Sequence, residues 1–250
     1  MNLQPYLKLM AERGGSDIFF TTGAPVSMNI EGKMHSIGKT PLEPGMTKEI
    51  AYSVMDENQK MGFEATMEMN LGMSLKNIGR FRINIYTQRG EVSMVIRYIK
   101  SDIPTLDELN LPEKLKELVS HRKGLVLVVG ATGSGKSTSL ASMIQYRSQA
   151  MPGHILTIED PIEFTFNHNK SIVGQREVGL DTLSYENALR EAMREAPDVI
   201  MIGEVRDRET MEAAIQYADT GHLCLSTLHS VNANQTLDRI LSFFPPDSRN

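Results

Sequence analysis

The stretch that most constrains this chain is "GLVLVVGATGSGKST", residues 124–138. An apolar run, a glycine-rich turn and a helix-like segment follow one another without a gap. Gly130, Gly135, Lys136 and Ser137 satisfy the pattern G-x-x-x-x-G-K-[ST] in the strand–loop–helix context that the pattern requires. Glycine lets backbone N–H groups turn inward around phosphate oxygens with no Cβ in the way. The helix N-terminus adds partial positive charge. The spacing therefore predicts a cradle for the phosphates of a nucleotide such as ATP, built from Gly130, Thr132, Gly133, Ser134, Gly135, Lys136, Ser137 and Thr138. Lys136 is expected to reach the β- and γ-phosphates, and Ser137 to bind Mg²⁺. The motif leaves open what the phosphate energy drives, because kinases, GTPases, helicases and motors share it.

Further short apolar runs follow the first: "HILTI" (154–158), "DVIMIG" (198–203) and "HLCLSTL" (222–228). All four runs suit strands buried on both faces of a parallel sheet. Between them "SLASMIQYRSQ", "SYENALREAMREA" and "RDRETMEAAIQYA" read as helices. In the second, Ala188, Leu189, Ala192, Met193 and Ala196 are spaced to form one apolar face. Strand–helix alternation of this kind predicts an α/β domain.

Residues 1–100 have a different texture. "SDIFFTTG" and "VSMNIEGKMHSIG" read as strands interrupted at Gly23-Ala24-Pro25 and at Glu31-Gly32-Lys33, and "KEIAYSVMDENQKMGFEA" reads as helix. "FRINIYTQRGEVSMVIRYIK" predicts an antiparallel hairpin turning at Gln88-Arg89-Gly90. Arg80, Arg82 and Asn84 then share one strand face, with Phe81, Ile83 and Ile85 on the other. The expectation is a small α+β domain over 1–100. Pro104 and Pro112 mark 101–115 as a linker, which leaves 116–250 for the α/β domain.

"TIEDPIEF", residues 157–164, crowds Glu159, Asp160 and Glu163 directly after an apolar strand. Like charges so close repel, so the acids either lie on a solvated turn or face a cation. Pro161 cannot donate to a ladder, so the strand should end there, at the sheet edge where α/β folds bind ligands. "DVIMIGE" ends in Glu204, a Walker-B arrangement that reaches Mg²⁺ directly or through water. The blander reading is an acidic helix start, since "EVRDRE" is charged throughout. Three acids cannot all serve Mg²⁺ beside Ser137 and Glu204, so a general base for the attacking water is the remaining role for one of them. His222 and His229 bracket the run "LCLSTL". They could contact the γ-phosphate or be structural, and their odd spacing sets them on opposite faces of a regular strand. Cys224 reads as a small buried hydrophobe.

Composition narrows the class. Among 250 residues, 26 Lys and Arg stand against 31 Asp and Glu, a net charge of −5, which argues against a protein that wraps nucleic acid. A single cysteine excludes an intramolecular disulfide or a multi-thiolate zinc site within these residues. Residues 1–5 do not resemble a secretory signal, and no apolar run approaches the roughly 18–20 residues needed to span a bilayer. A cytoplasmic protein is expected, with membrane association only through a partner.

"GATGSGKST", "TIEDPIEF", "GQREVG", "ALREAMREAPDVIMIGEVRDRET" and "TGHLCLSTLHSVNA" stand in the order and spacing of the secretion-superfamily ATPases. More narrowly, the chain resembles the type IV pilus retraction ATPases, in their PilU-like branch. The resemblance covers essentially the whole chain. It implies an ATP-hydrolysing homo-hexameric motor with a PAS-like N-terminal domain and a RecA-like P-loop domain, driving pilus retraction and twitching motility as an accessory ATPase. It further implies mixed action with a paralogous retraction ATPase, and a place at the inner membrane against a platform protein. By the same resemblance Glu163 matches the catalytic glutamate of the Asp box, Glu204 the Walker-B acid, and His222 and His229 the His box. Arg82 and Arg97 match arginines that approach the nucleotide phosphates. Family members continue beyond the position matching Asn250, so the chain is expected to be part of a longer protein. The zinc-binding cysteines of pilus assembly ATPases lie in that further part, and no zinc is expected here. Two rival readings stand beside this one, an ATP-binding regulatory subunit of a paralogous motor and a RecA-like nucleic-acid translocase. The acidic balance and sparse aromatics speak against the second.

Overall fold

Alternating burial along residues 79–99 organises the first of two units into which the chain divides, Met1–Lys100 and Ser101–Asn250. The computed structural model describes residues 3–245. The first unit runs α1 (Gln4–Glu12), β1 (Gly15–Phe20), β2 (Ser27–Ile30), β3 (Lys33–Ser36), α2 (Met46–Tyr52), α3 (Glu57–Thr66), β4 (Glu68–Leu75), β5 (Gly79–Gln88) and β6 (Glu91–Ile99). Its strands form one antiparallel sheet in the order β3-β2-β1-β6-β5-β4. The expected hairpin is β5–β6, and Arg89 and Gly90 both take positive φ at its two-residue turn. Across the sheet Met28, Ile18, Ile96, Ile83 and Leu71 stand in register and are all buried. The neighbouring row, on the other face, is Asn29, Asp17, Arg97 and Arg82.

The segment expected as one helix, residues 48–65, folds as α2 and α3. Asp56 divides them. Its carboxylate accepts from Gln59 N at 2.8 Å while Gln59 Oε1 accepts from Asp56 N at 2.9 Å, a reciprocal cap that starts a new helix. Strand β4, "EMNLGMSL", alternates Met69, Leu71, Met73 and Leu75 with polar residues or glycine, and pairs with β5 along its whole length.

The second unit continues α4 (Lys114–Ser120), β7 (Gly124–Val129), α5 (Lys136–Ala150), β8 (Gly153–Glu159), β9 (Ser171–Glu177), α6 (Tyr185–Ala192), a 3₁₀ turn (Met193–Glu195), β10 (Val199–Ile202), α7 (Arg208–Asp219), β11 (Leu223–Leu228) and α8 (Ala233–Ser242). Five parallel strands stand in the order β7-β11-β10-β8-β9. Ile155, Val199, Met201, Leu223 and Leu225 face a core with Leu140, Met143 and Ile144 of α5. Leu156, Ile158, Ile200, Ile202 and Cys224 face the opposite core with Ala188 and Leu189 of α6 and Tyr217 of α7. Helices cover both faces, as continuous apolar strands require. Burial pushes the Cys224 thiol up to about 12, which fits an inert packing role.

Three expectations change. Residues 101–115 are built into the second unit: Leu106 is buried in its core, and Ser142 Oγ donates to Pro104 O at 2.6 Å. Strand β7 is half-buried throughout, because among the described residues it pairs only with β11 and forms a sheet edge. The apolar face of α6 keeps Ala188, Leu189 and Ala192 but not Met193 or Ala196. The backbone tightens to 3₁₀ at Met193 and turns left-handed at Ala196, which exposes both side chains. The strand β9 and the helix α8 have no counterpart in the apolar patterning read above.

Candidate active site

The loop between β7 and α5 sits at the carboxyl edge of the parallel sheet. Gly135 takes φ +89, a left-handed conformation that favours glycine, and hands the chain directly into α5. Lys136 opens that helix, and its Nζ donates to Gly130 O at 3.0 Å and Ala131 O at 2.9 Å, folding the loop around the ammonium. Thr132, Gly133, Gly135, Lys136, Ser137 and Thr138 line a cavity of about 370 Å³. Gly130 and Ser134 stand behind it and shape the turn, where Ser134 N donates to Ala131 O at 3.3 Å.

The three acids of "TIEDPIEF" line the same cavity in three different environments. Glu159 ends β8 and is only 8% exposed; its Oε1 accepts from Thr157 Oγ1 at 2.7 Å and Gln175 Nε2 at 3.2 Å. Burial pushes its carboxyl up to about 7, against the opposing pull of those two bonds. Asp160, whose peptide bond to Pro161 is cis, is paired with Arg206: Nη1 reaches Asp160 Oδ2 at 2.9 Å and Nη2 its carbonyl at 3.2 Å. Glu163 is exposed, and its Oε1 accepts from Ser137 Oγ at 3.2 Å. The crowding is therefore relieved by burial, by a cation and by the phosphate-loop hydroxyl.

Glu204 follows β10 and reaches the cavity from the middle of the sheet. Its Oε2 accepts from Arg206 Nε at 3.2 Å, and its Oε1 lies 3.2 Å from His229 Nε2. Gly203 permits this closeness: a Cβ there would stand 3.1 Å from the Tyr185 hydroxyl and 3.3 Å from Glu159 Cα. His229 stands just past the end of β11. His222 precedes the same strand, at the opposite edge of the sheet, where its Nδ1 lies 3.2 Å from Thr220 Oγ1 and its ring packs on Tyr217. The two histidines therefore do not meet; an entire strand separates them. Arg82 and Arg97 belong to the first unit, directly opposite each other on β5 and β6, and Arg97 Nε donates to Asp17 Oδ1 at 2.7 Å.

Sequence reading passed over Arg206, Tyr185 and Gln175. Arg206 was visible only as one charge among many in "EVRDRE". Its signal was position: Asp207 is the N-cap of α7, so the residue before it must lie in the loop on the sheet edge.

In the cavity, the carboxyl groups of Glu159, Asp160, Glu163 and Glu204 face two cations, Lys136 and Arg206. Oxygen donors with unbalanced negative charge suit a hard cation such as Mg²⁺. Among the described residues no group of three or more His, Cys, Asp or Glu side chains is arranged to hold a metal alone. Mg²⁺ commonly completes its shell with water and substrate phosphates, so Ser137 and Glu204 fit it as partial ligands. No helix among the described residues is long and apolar enough to cross a membrane.

Residues 2–245 match the family described as type II/IV secretion system protein. The chain belongs to that family. Within it, the chain is 55% identical over 247 residues to the type IV pilus ATPase PilU of Pseudomonas aeruginosa, covering 99% of this chain and 65% of that protein. It is 40% identical over 249 residues to the pilus retraction ATPase PilT of the same organism, covering 100% of this chain and 72% of that one. Among solved structures, the pilus retraction motor PilT with bound ADP superimposes with a TM-score of 0.92 at 46% identity, over 99% of this chain and 73% of that one. The secretion-family fold, a RecA-like ATPase domain with an N-terminal domain, is thus the fold of this chain, in the PilU/PilT branch. The chain spans just under two thirds of the length of the PilU relative.

Proposed function

We propose that this chain binds ATP with Mg²⁺ at the loop before α5 and hydrolyses it as the motor subunit of a type IV pilus machine. The observation that carries the reading is the meeting of Lys136 and Ser137 with Glu163 and Glu204 around one cavity. Loop amides and Lys136 hold the phosphates, and Ser137 with Glu204 holds the metal. Mg²⁺ bound there neutralises charge on the β- and γ-phosphates. Glu163 orients or deprotonates the attacking water. Ser137 would help hold the metal, and its hydroxyl donates to Glu163 Oε1, which joins the phosphate loop to the proposed base. His229 steadies Glu204.

The finer reading is a homo-hexamer that retracts pili as an accessory ATPase, acting with a paralogue on an inner-membrane platform protein from the cytoplasmic side. The likeness to PilU and PilT supports it. Arg82 and Arg97 serve there as the arginines that offset phosphate charge. They stand directly opposite each other on paired strands, and Arg97 is held by Asp17. The assignment of Met1–Lys100 as a PAS-like domain is part of the same reading.

Replacing Glu163 by Gln is expected to retain ATP binding and to lower hydrolysis by about 10²–10⁴-fold, the usual weight of a general base. Unchanged turnover in that variant would remove the base assignment. Mass in solution with and without ATP tests the ring, and turnover alone against turnover mixed with the paralogue tests the accessory role.

A further inference from the structure

We infer that Arg206 is a latch on the metal-binding carboxylate: it ties Glu204 to Asp160 across the sheet edge and must release Glu204 before that side chain can serve a divalent cation. The inference rests on the reading of Ser137 and Glu204 as the metal's ligands.

Both oxygens of Glu204 have a close neighbour: Oε2 accepts from Arg206 Nε, and Oε1 lies 3.2 Å from His229 Nε2. The other two nitrogens of the guanidinium go to the carboxylate and the carbonyl of Asp160. One planar cation therefore joins the ends of β8 and β10, and His229 extends the chain of contacts to β11. Arg206 is held for this task. Its backbone N donates to Thr210 Oγ1 at 3.2 Å, inside the cap that starts α7, and its guanidinium carbon lies 5.8 Å from the centre of the Tyr185 ring.

A divalent cation and Arg206 answer the same electrostatic need at Glu204, so they compete for it. Arg206 does not lose its footing when Glu204 turns away, because two bonds to Asp160 and the cation–π contact with Tyr185 remain. The latch thus offsets the repulsion among the acids before the nucleotide arrives. It also connects metal arrival to the turn Asp160–Glu163, which bears the proposed base. Arg206 is accordingly a positioning residue, acting through Glu204 and Asp160 rather than on substrate.

The test is a Mg²⁺ titration of the binding of a fluorescent ADP analogue, read by fluorescence, for the wild type, Arg206→Gln and Asp160→Asn. Arg206→Gln is expected to lower the Mg²⁺ midpoint about threefold, the scale of a partly exposed ion pair. In the same variant hydrolysis at saturating ATP and Mg²⁺ is expected to fall about tenfold, since the acids lose their alignment. Asp160→Asn, which leaves the Arg206–Glu204 bond in place, is expected to keep the midpoint at or above that of the wild type. A purely structural role would weaken metal binding and turnover together. If Arg206→Gln folds poorly, Arg206→Lys replaces it, with a smaller fall expected. A midpoint that stays or rises in the Arg206 variants, or falls equally in Asp160→Asn, overturns the latch alone. A wild type whose nucleotide binding ignores Mg²⁺ removes the underlying reading and the latch with it.

Discussion

Glu159 carries the clearest physical tension among the carboxylates of the cavity. Its carboxyl is buried at the end of β8 and raised from the usual 4.5 to about 7, chiefly by desolvation. At low pH the side chain is protonated in both the folded and unfolded protein. Between the usual carboxylate range and about pH 7, the folded protein keeps a proton that the unfolded chain has lost. Stability is therefore full at the acidic end of that window, falls as pH rises through it, and levels off above it. Gln at this position retains a carbonyl oxygen to accept from Thr157 and Gln175 without the buried charge. Glu159→Gln should flatten the fall and, above pH 7, raise stability by on the order of 2–3 kcal/mol. Denaturant unfolding at pH 5 and pH 8 reads this directly, and an identical pH slope in the two proteins would refute it. Its neighbour Glu163 is exposed beside Ser137, where a reacting water can reach it.

At the scale of elements, caps decide more than propensity does. Residues 48–65 have the apolar content of one helix, yet Asp56 and Gln59 pair reciprocally and make two. Replacing Asp56 by Ala removes the acceptor for Gln59 N and should destabilise the first unit by about 1 kcal/mol, measured as a lower denaturation midpoint at unchanged slope. The same device places Arg206. Asp207 stops the backbone at a cap, and the residue before it is turned onto the sheet edge. Burial in strands follows rank within the sheet. The central strands β10 and β11 are buried along their whole length, whereas β7, equally apolar in composition, is half-exposed at an edge. The apolar run of β7 predicted a strand but carried no information about its neighbours.

At the scale of the whole molecule, two units with separate cores share one chain, and every residue lining the cavity lies between Thr132 and His229. If Arg82 and Arg97 act on phosphate charge during hydrolysis and not on the bound diphosphate, residues 101–250 alone should bind ADP within about tenfold of the whole chain by calorimetric titration. A loss of hundredfold or more would mean that residues 1–100 supply part of the binding energy. The amino-acid order by itself determined the local devices: the phosphate loop, the hairpin turn at Arg89-Gly90, the alternation of Phe81, Ile83 and Ile85, and the strand ends that bear Glu159 and Glu204. Each is set by neighbours a few residues apart, through backbone geometry and periodicity. Tertiary structure alone decided which distant side chains meet. It brought Ser137 to Glu163 and Arg206 to Asp160, 46 residues away. Those contacts depend on the strand order β7-β11-β10-β8-β9, which follows from long-range pairing and two-sided helix packing and leaves no short-range trace in the sequence.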